Sequence, residues 1–455
     1  MKRILFLLIF ILQFSVLPIH AEEYSVEVKD PELMFTNNPS VYPFIPDLSY
    51  FTFKDLKGKL LGVLPMNYST NQTMIPITSI TSMPGVAKGT ARFDNGGAWL
   101  TYVYQDNKGK LHGFYHAEES SRNMIGGQYK YLHASIAEIV FNPNTNRWEK
   151  PDYPNNEIIT SDDDAVNGNP HFAVINNPDG DGKNYLYAFY GHGMSGEQTA
   201  GSWKNYQMTA ARSDLSDPKS PGPGSWKKYY CKSNENCGFT QNGRGGKDSK
   251  IEGFPGHGHV VWNSYLNRYI ALGNSSLRPG NDGKMRVNIM TPDKSDLTHW
   301  IRLTDNRPIM NLPPASGKEY LYPGLIDALD GSSEVLGKQF WLYYVERAEF
   351  PYGDSRPRKL WRRKITISKA KTTPTQTPTS TPKPSVSLTS SITPSTTNTP
   401  KPGDANNDGK VDGVDYVIWL NHYHQNTSNG VRDGDFNKDG TVDGVDYVIW
   451  VNNLQ

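Results

Sequence analysis

An acidic pattern of twelve residues occurs twice near the C-terminal end of this 455-residue chain. The first copy spans residues 404–415, and the second, at 435–446, repeats it 31 residues later. Ca²⁺ takes about six to eight oxygen ligands, and a loop with this spacing supplies them from side chains and from the carbonyl of its seventh residue, while Gly at the sixth position permits a sharp turn. The duplication therefore predicts two calcium ions, with the following ligands: Asp404, Asn406, Asp408, the carbonyl of Lys410, Asp412 and Asp415, and then Asp435, Asn437, Asp439, the carbonyl of Thr441, Asp443 and Asp446.

The same five residues, Asp-Tyr-Val-Ile-Trp, end the first loop at 415–419 and the second at 446–450, which predicts a helix after each loop. Position 12 of both loops is Asp, where the commonest calcium loop has Glu. Residues 403–455 carry nine Asp against three Lys or Arg, a net charge of −6. Because such a small acidic module cannot offset this repulsion by itself, we expect it to be largely unfolded without metal.

A stretch rich in Thr, Ser and Pro separates this module from the rest of the chain. Residues 371–402 contain few apolar side chains, and their prolines favour extended polyproline II. They predict a linker, which at ~3.1 Å per residue reaches on the order of 100 Å. Residues 22–370 are then expected to form one large domain.

The N-terminus has the pattern of a secretory signal peptide. A basic start is followed by the apolar run Ile4 to Leu12 and by Ala21, after which we expect cleavage, so that residues 1–21 are the signal. An uncleaved anchor is the alternative; no other segment is long and apolar enough to span a membrane. The predicted location is extracellular, free or attached to a cell surface, where Cys231 and Cys237 could close a small disulfide.

Residues 22–370 are dominated by short aromatic and β-branched runs bounded by Gly, Asn, Asp or Pro, without a sustained helical period. Such runs occur at 96–104, 111–116, 185–190, 268–272 and 340–345. They recur in a fixed order that ends in a polar turn and a tryptophan, at Trp148, Trp226 and Trp300. Repeating four-stranded units of this size predict an all-β domain folded as a β-propeller. The units fall around 94–150, 167–230, 256–304 and 318–368, and residues 24–65 are left for a fifth blade that closes the ring with the C-terminal strands; six blades is the alternative count.

The duplicated loop and helix, placed behind a Pro/Thr linker in an exported protein, resemble the type I dockerin domain. The resemblance covers residues 403–455 and implies docking onto a cohesin module of a scaffold or cell-surface protein, with two related binding faces. The positions that often carry a Ser-Thr pair for this recognition are here Gly413-Val414 and Gly444-Val445. A divergent cohesin partner and a module that is only a calcium-stabilised surface domain both remain open.

The propeller is similar to the five-bladed glycoside hydrolases of the arabinanase–invertase superfamily, which includes family 43. The similarity lies in the blade pattern and in a few stretches: Asp94-Asn-Gly-Gly97, Gly113–Glu118, Gly168-Asn-Pro170, Trp226–Tyr230 and His259–Tyr269. It implies a polysaccharide or oligosaccharide substrate and carboxylates at a central funnel, since glycoside hydrolysis needs one protonated and one ionised carboxyl group on opposite sides of the scissile bond.

Five residues are candidates for this chemistry: Asp94, Glu118, Asp164, Glu252 and His259. Each precedes or ends a predicted strand, where an inner strand could present a side chain to the funnel. Glu252 lies in Glu-Gly-Phe-Pro, which resembles the superfamily's Glu-Gly-Pro motif, and is the expected general acid. His259 could orient a carboxylate or reach a further ion in the propeller through water. The alternatives are a tight turn for Asp94, a surface cap for Glu118, a solvated or calcium-binding loop for Asp164, and an ordinary hydrogen-bonded strand residue for His259.

Other functions are weighed against this prediction. A non-catalytic, lectin-like propeller would use the same aromatic residues to hold a glycan. A formal net charge of +1 argues against a nucleic-acid partner, which would need a concentrated basic face. A sialidase-type propeller is less favoured because the chain has no Ser-x-Asp-x-Gly-x-x-Trp turns.

Overall fold

The structure, a computed structural model, divides into two compact units between Thr373 and Pro374. It describes residues 24–36, 48–65, 89–91, 93–119, 124–125, 128–129, 134–160, 165–194, 207–233, 236–274, 285–304, 308–312, 318–348, 358–369, 401–423 and 425–453. The predicted signal peptide and nearly all of the predicted linker lie outside these residues. In the described part of the chain, no helix is long and apolar enough to cross a membrane.

The first unit is built from β-strands, as the alternating aromatic runs predict. Their bounds in chain order are β1 Tyr24–Val28, β2 Glu32–Thr36, β3 Phe51–Lys54, β4 Leu60–Val63, β5 Gly97–Gln105, β6 Leu111–Glu118, β7 Met124–Ile125, β8 Gln128–Tyr129, β9 Ala134–Asn142, β10 Arg147–Glu149, β11 Glu157–Ile159, β12 Ala165–Asn176, β13 Asn184–Met194, β14 Gln207–Asp214, β15 Trp226–Ser233, β16 Asn236–Asn242, β17 Gly256–Asn263, β18 Arg268–Asn274, β19 Met285–Asp293, β20 Asp296–Arg302, β21 Met310–Leu312, β22 Lys318–Asp327, β23 Val335–Leu336, β24 Gln339–Ala348 and β25 Lys359–Lys369.

These strands form four antiparallel blades. Blade 1 has the order β5-β6-β9, with β10 and β11 on the outer edge of β9, and blade 2 runs β12-β13-β14-β15-β16; a single parallel pair, Ala134 with Val166, joins β9 to β12. Blade 3 runs β17-β18-β19-β20, and blade 4 runs β22-β24-β25. Each blade meanders outward from its first strand, so the innermost strands are β5, β12, β17 and β22.

The two-stranded hairpin β3–β4 occupies the fifth position. Strand β3 contacts β22 on one side and β5 on the other, while β12 contacts β5 and β17, and β17 contacts β22. Five innermost strands therefore follow one another in a closed ring, which confirms the predicted β-propeller.

The N-terminal strands differ from their predicted place. Strands β1 and β2 pair antiparallel with β25, with Val26 opposite Ile367 and Glu32 opposite Arg362. They thus complete blade 4, and only residues 51–63 stand at the fifth position. The reason is that β25 would otherwise leave a long unpaired edge, which the first strands of the chain satisfy.

The core lies between adjacent blades. Phe114 of blade 1 packs with Leu186 of blade 2, and Leu272 of blade 3 packs with Leu342 of blade 4. The hairpin has such contacts on both sides, through Phe51 toward blade 1 and through the preceding Tyr50 toward blade 4. Because every blade covers the next, apolar residues on both faces of each sheet are buried.

The outer strands carry two further features. The predicted Trp226 and Trp300 are buried in outer strands and donate their indole N–H to the carbonyls of Pro221 and Leu297. Cys231 and Cys237 form a disulfide that joins β15 and β16, where they lie opposite each other.

The second unit contains helix α1, Gly413–His422, a 3₁₀ helix at Gly430–Asp433, and helix α2, Gly444–Asn453. Its small core contains Val411, Trp419, Val442 and Trp450. The predicted loop–helix duplication is therefore the architecture of this unit.

Candidate functional site

Both predicted calcium loops have the same internal hydrogen bonds. In the first loop, the backbone N–H groups of Asp408 and Gly409 donate to the carboxylate of Asp404 at 3.2 and 2.9 Å. In the second loop, Asp439 and Gly440 donate to Asp435 at 3.1 and 3.0 Å. Gly409 and Gly440 adopt φ of 87° and 90°, the left-handed conformation that the sharp turn requires.

The last residue of each loop closes it and starts the helix. Asp415 Oδ1 accepts from the N–H groups of Ala405 and Asn406, and its Oδ2 accepts from Asp412. Asp412 in turn caps α1 by accepting from Val414 at 2.8 Å. The shorter Asp at position 12 therefore reaches across the loop in place of Glu.

The donor set fits calcium. Asp404 and Asp415 are 4% and 0% exposed, and Asp435 and Asp446 are 2% and 0% exposed. Among the described residues, no Lys, Arg or His forms an ion pair with these four carboxylates. Burying like charges without a cation is unfavourable. A divalent ion with oxygen preference would supply the missing positive charge.

The two halves of the C-terminal unit are related by reciprocal contacts. Trp419 of α1 donates its indole N–H to the carbonyl of Asp443 at 2.8 Å, and Trp450 of α2 donates to the carbonyl of Asp412 at 2.9 Å. Asp412 and Asp443 hold the ninth position of their loops, so each helix is tied to the loop that precedes the other. Folding of one half therefore supports the other.

An apolar stripe is left exposed on α1. Val414, Val417 and Leu420 are 53%, 50% and 41% exposed and recur every three residues, so they share one face. Val445 of α2, at the position equivalent to Val414, is 53% exposed as well. Exposed apolar side chains in such a pattern are typical of a protein-binding face.

In the propeller, the innermost strands shift register near their beginnings. The shifts fall between Leu100 and Tyr102, between Gly168 and His171, between Gly256 and His259, and between Leu321 and Gly324. Asn169 and Tyr322 at two of these shifts adopt positive φ, which is strained for residues other than Gly. We call the end of the propeller where the inner strands begin the mouth. Register shifts of this kind re-aim side chains, and here they turn side chains toward the axis at the mouth.

A small cavity lies on the axis at these shifts. Its volume of about 10 Å³ is enough for one water molecule. The lining residues come from the hairpin segment and three inner strands: Leu48, Ser49, Thr101, Asn169, Pro170, His171 and Tyr322. Several of these residues are polar, but more of the surface that lines the cavity is apolar than polar.

His259 lies next to this axis and is buried. Its ring stacks on His171 with centroids 5.7 Å apart, and the N–H of Leu325 in β22 donates to its Nδ1 at 2.8 Å. The ring proton is therefore on Nε2. Burial lowers the pKa of His259 to about 4, so the imidazole is neutral at physiological pH.

Among the described candidates, Glu118 is the partly exposed carboxylate at the mouth. It ends β6 opposite Gly97, where β5 begins, and its side chain is 22% exposed. His116 Nε2 lies 3.1 Å from its Oε1, so the imidazole holds the carboxylate in place.

Asp94 is fully buried just ahead of β5, where Lys150 forms an ion pair with it at 2.5 Å and Tyr115 and Tyr153 donate at 3.1 and 3.0 Å. Burial lowers the pKa of Lys150, and its contact with Asp94 opposes this shift. The network satisfies the Asp94 carboxylate from the outer part of blade 1, which favours the turn role over the catalytic one.

Glu252 lies on the outer edge of blade 3, not at the funnel mouth where the sequence was expected to place it. It forms a bridge with His299 of β20, the outermost strand, and its exposed carboxylate pairs with Lys250 at 2.9 Å. Gly253 at φ of 70° turns the chain tightly against the backbone of Trp300 before β17 begins. The segment that precedes inner strand β17 therefore runs along the outer edge of blade 3 before it reaches the axis.

Asp164 falls outside the described residues.

The described residues reveal a buried network that the sequence did not predict. Asp248 accepts from Lys228 at 2.8 Å and from Tyr190, and it lies 3.4 Å from His192 Nδ1. Lys228 and Asp248 have fully buried side chains. The signal in the sequence is only a Lys in an aromatic strand, which reads equally well as a surface residue.

Comparisons with known proteins agree with this division. Residues 402–455 match the family model of the dockerin type I domain. The C-terminal unit is a dockerin type I domain. Dockerin domains bind calcium, as the loops of this unit predict, and a dockerin implies a cohesin partner. No curated protein matched the sequence.

Solved structures similar to this chain include three carbohydrate-active enzymes. A thermostable family-43 glycoside hydrolase is 12% identical, with a TM-score of 0.40 over 74% of this chain and 94% of its own. An endo-arabinase from Bacteroides thetaiotaomicron is 11% identical, with a TM-score of 0.41 over 72% and 96%. An inulosucrase from Halalkalicoccus jeotgali bound to kestose is 13% identical, with a TM-score of 0.38 over 69% and 78%. Likenesses this distant support no argument by themselves, and the propeller is established by the strand pairings.

Removal of calcium should unfold the dockerin. We expect EDTA to abolish the helical circular dichroism of residues 403–455, and Asp415→Ala to weaken calcium binding by about tenfold or more in titration calorimetry. Lys410→Ala is the matched control, since Lys410 offers its carbonyl and not its side chain. Helicity that persists in EDTA would contradict the calcium assignment.

The buried neutral His259 should make the propeller acid-sensitive. Its pKa is about 4 in the folded state and ~6.5 in the unfolded state, so the unfolded chain binds the proton first as pH falls. The free energy of unfolding should therefore drop between about pH 6.5 and 4, by up to about 3 kcal/mol. Denaturant titrations should show a weaker pH slope in His259→Gln, and an unchanged slope in His299→Gln, whose side chain is exposed. Equal slopes in wild type and His259→Gln would refute the account.

Proposed function

We propose that this protein is a secreted carbohydrate-active enzyme that hydrolyses glycosidic bonds in a polysaccharide. Its dockerin, loaded with two calcium ions, tethers it to a cohesin-bearing scaffold or cell-surface protein. The observation that carries the proposal is the joining, in one chain, of a dockerin type I domain and a β-propeller with a partly exposed carboxylate at its mouth. Dockerins attach enzymes to assemblies that degrade polysaccharides, and propellers present side chains at a central funnel.

Two further observations support export. The sequence of residues 1–21 has the pattern of a secretory signal peptide, and a disulfide such as Cys231–Cys237 persists in an oxidising compartment. The apolar stripe at Val414, Val417 and Leu420 supports docking, because it is exposed on a calcium-stabilised helix.

For the chemistry, we propose Glu118 and Asp164 as the acid–base pair. Hydrolysis requires two carboxyl groups facing the scissile bond, one protonated and one ionised. Glu118 lies at the mouth, and Asp164 directly precedes inner strand β12. We do not propose catalytic roles for Asp94, which is already paired with Lys150, or for Glu252, which lies on the periphery.

His259, which lies next to the propeller axis, has a limited part in the proposed chemistry. With Nδ1 occupied by the N–H of Leu325, His259 can only donate from Nε2. A further ion in the propeller would then meet His259 through a water molecule, and not directly.

A lectin-like propeller is the second candidate. It is favoured by the pairing of buried Asp94 with Lys150 and by the peripheral position of Glu252, which leave Glu118 as the one partly exposed candidate carboxylate at the mouth in the described residues. A binding module needs only one such group to hold a sugar hydroxyl.

Substituting Glu118 separates the two functions. We expect wild type to release reducing ends from at least one of arabinan, xylan, galactan and inulin, and Glu118→Gln to lower kcat by about 100-fold or more, as for loss of a general acid or base. Glu252→Gln should retain activity within about twofold. Binding without turnover in wild type would favour the lectin, and full activity of Glu118→Gln would remove Glu118 from the mechanism.

The proposed binding of the dockerin to a cohesin is tested by substitutions on both helices. Because the dockerin offers two related faces, Val414→Asp alone should leave binding to type I cohesins nearly unchanged. Combining it with Val445→Asp should weaken binding by about tenfold or more, since charge enters both apolar faces. Titration calorimetry of the full chain measures this, with circular dichroism as the folding control. A double variant that binds as tightly as wild type would exclude these faces.

A further inference from the structure

Several buried or partly buried polar groups lie at the mouth end of the interface between blades 1 and 2. Blade 1 contributes Trp99, His116 and Glu118, and blade 2 contributes Asn167 and His192. We call these five residues the mouth cluster. In the acid–base chemistry above, only Glu118 of this group has a part.

The blade 1 residues face blade 2. On β6, Phe114, His116 and Glu118 alternate with Tyr115 and Ala117, so the three lie on one side of the strand. Phe114 packs on Phe172 of blade 2, with ring centroids 4.7 Å apart. His116 and Glu118 continue this face toward the mouth, and the Trp99 ring lies 5.5 Å from that of His116.

The blade 2 residues face the opposite way, toward blade 1. On β13, Leu186, Tyr190 and His192 share one side, and the first two belong to the core between the blades. Asn167 pairs with His192 across the strands, and its Oδ1 lies 3.0 Å from His192 Nδ1. Asp248 Oδ2 lies 3.4 Å from the same nitrogen.

Three atoms of the cluster have no hydrogen-bond partner in the described residues: Trp99 Nε1, His116 Nδ1 and Asn167 Nδ2. Their residues are 5%, 5% and 0% exposed. A buried polar group that stays unpaired is unfavourable, and folded proteins pair nearly all of them. Three such atoms on the facing sides of one interface therefore point to an outside partner.

The chemistry of these atoms defines the partner. Trp99 Nε1 and Asn167 Nδ2 can only donate. His116 donates from Nε2 to Glu118, so its Nδ1 accepts, and Glu118 accepts as well. Hydroxyl groups both donate and accept, so neighbouring hydroxyls satisfy all four atoms at once, whereas an anion would be repelled by Glu118.

We propose that the mouth cluster is a binding subsite for the hydroxyl groups of one sugar unit, with His116 as the residue that positions Glu118. The proposal rests on the proposed function and deepens it, because it places the bound sugar between blades 1 and 2.

The same strand offers a matched control. His112, at the other end of β6, is as buried as His116 and forms an imidazole–carboxylate pair with Glu138 at 2.6 Å. Its second nitrogen lies 3.4 Å from Asp106, so both ring nitrogens have partners. His112 therefore has a structural role without a ligand.

The test compares His116→Gln and Trp99→Phe with His112→Gln in the full-length protein. Titration calorimetry with oligosaccharides of arabinan, xylan, galactan and inulin should show dissociation constants at least about tenfold higher for the first two variants. His112→Gln should lower Tm and leave affinity within about twofold. The pH profile of kcat/KM should move in His116→Gln, because Glu118 loses its imidazole partner, and stay in place in His112→Gln.

The outcomes separate the two proposals. If wild type cleaves a glycan and both His116→Gln and Trp99→Phe behave as wild type, the subsite is overturned and the proposed function stands. If wild type neither binds nor cleaves any of the four, the proposed function is overturned, and the subsite falls with it.

Discussion

The antiparallel pairing of β1 and β2 with β25 is the contact on which the propeller depends. It joins the two ends of a domain of more than 300 residues, with Tyr24 opposite Lys369. Without it, blade 4 would expose the edge of β25, and the chain that leads into hairpin β3–β4, which closes the ring between β22 and β5, would lose its anchor. The ring in turn brings register shifts from four distant parts of the sequence to one axis. The mouth, and any site in it, therefore exists only in the closed propeller.

The dockerin depends on a different constraint, which is charge. Its buried carboxylates need a cation before the short helices can pack, and the reciprocal bonds of Trp419 and Trp450 make the two loops one folding unit. Calcium thus controls the presentation of the exposed stripe on α1. The proposed tethering and glycan processing would then be separate tasks of two units that fold by separate means.

Much of the fold could be predicted from the sequence, because strand alternation and the twelve-residue loop are local patterns. The loop–helix duplication and the first strand of each of the four blades follow from local spacing. The path that the chain takes before it enters an inner strand cannot be predicted from spacing. Glu252 lies four residues before β17, yet Gly253 and the bridge to His299 keep it on the outer edge. Asp94 likewise finds its partner in Lys150, 56 residues away, through tertiary contact. The mouth cluster could not be foreseen because its members become neighbours only when blades 1 and 2 pack.

The central claim is that a glycan binds at the mouth, beside Glu118. A crystal structure of full-length Glu118→Gln with an oligosaccharide that wild type binds tests it most directly. We expect one sugar unit between blades 1 and 2, with its hydroxyls within hydrogen-bond distance of Trp99 Nε1 and His116 Nδ1. A sugar bound on the outer strands or on the face opposite the mouth would contradict the account.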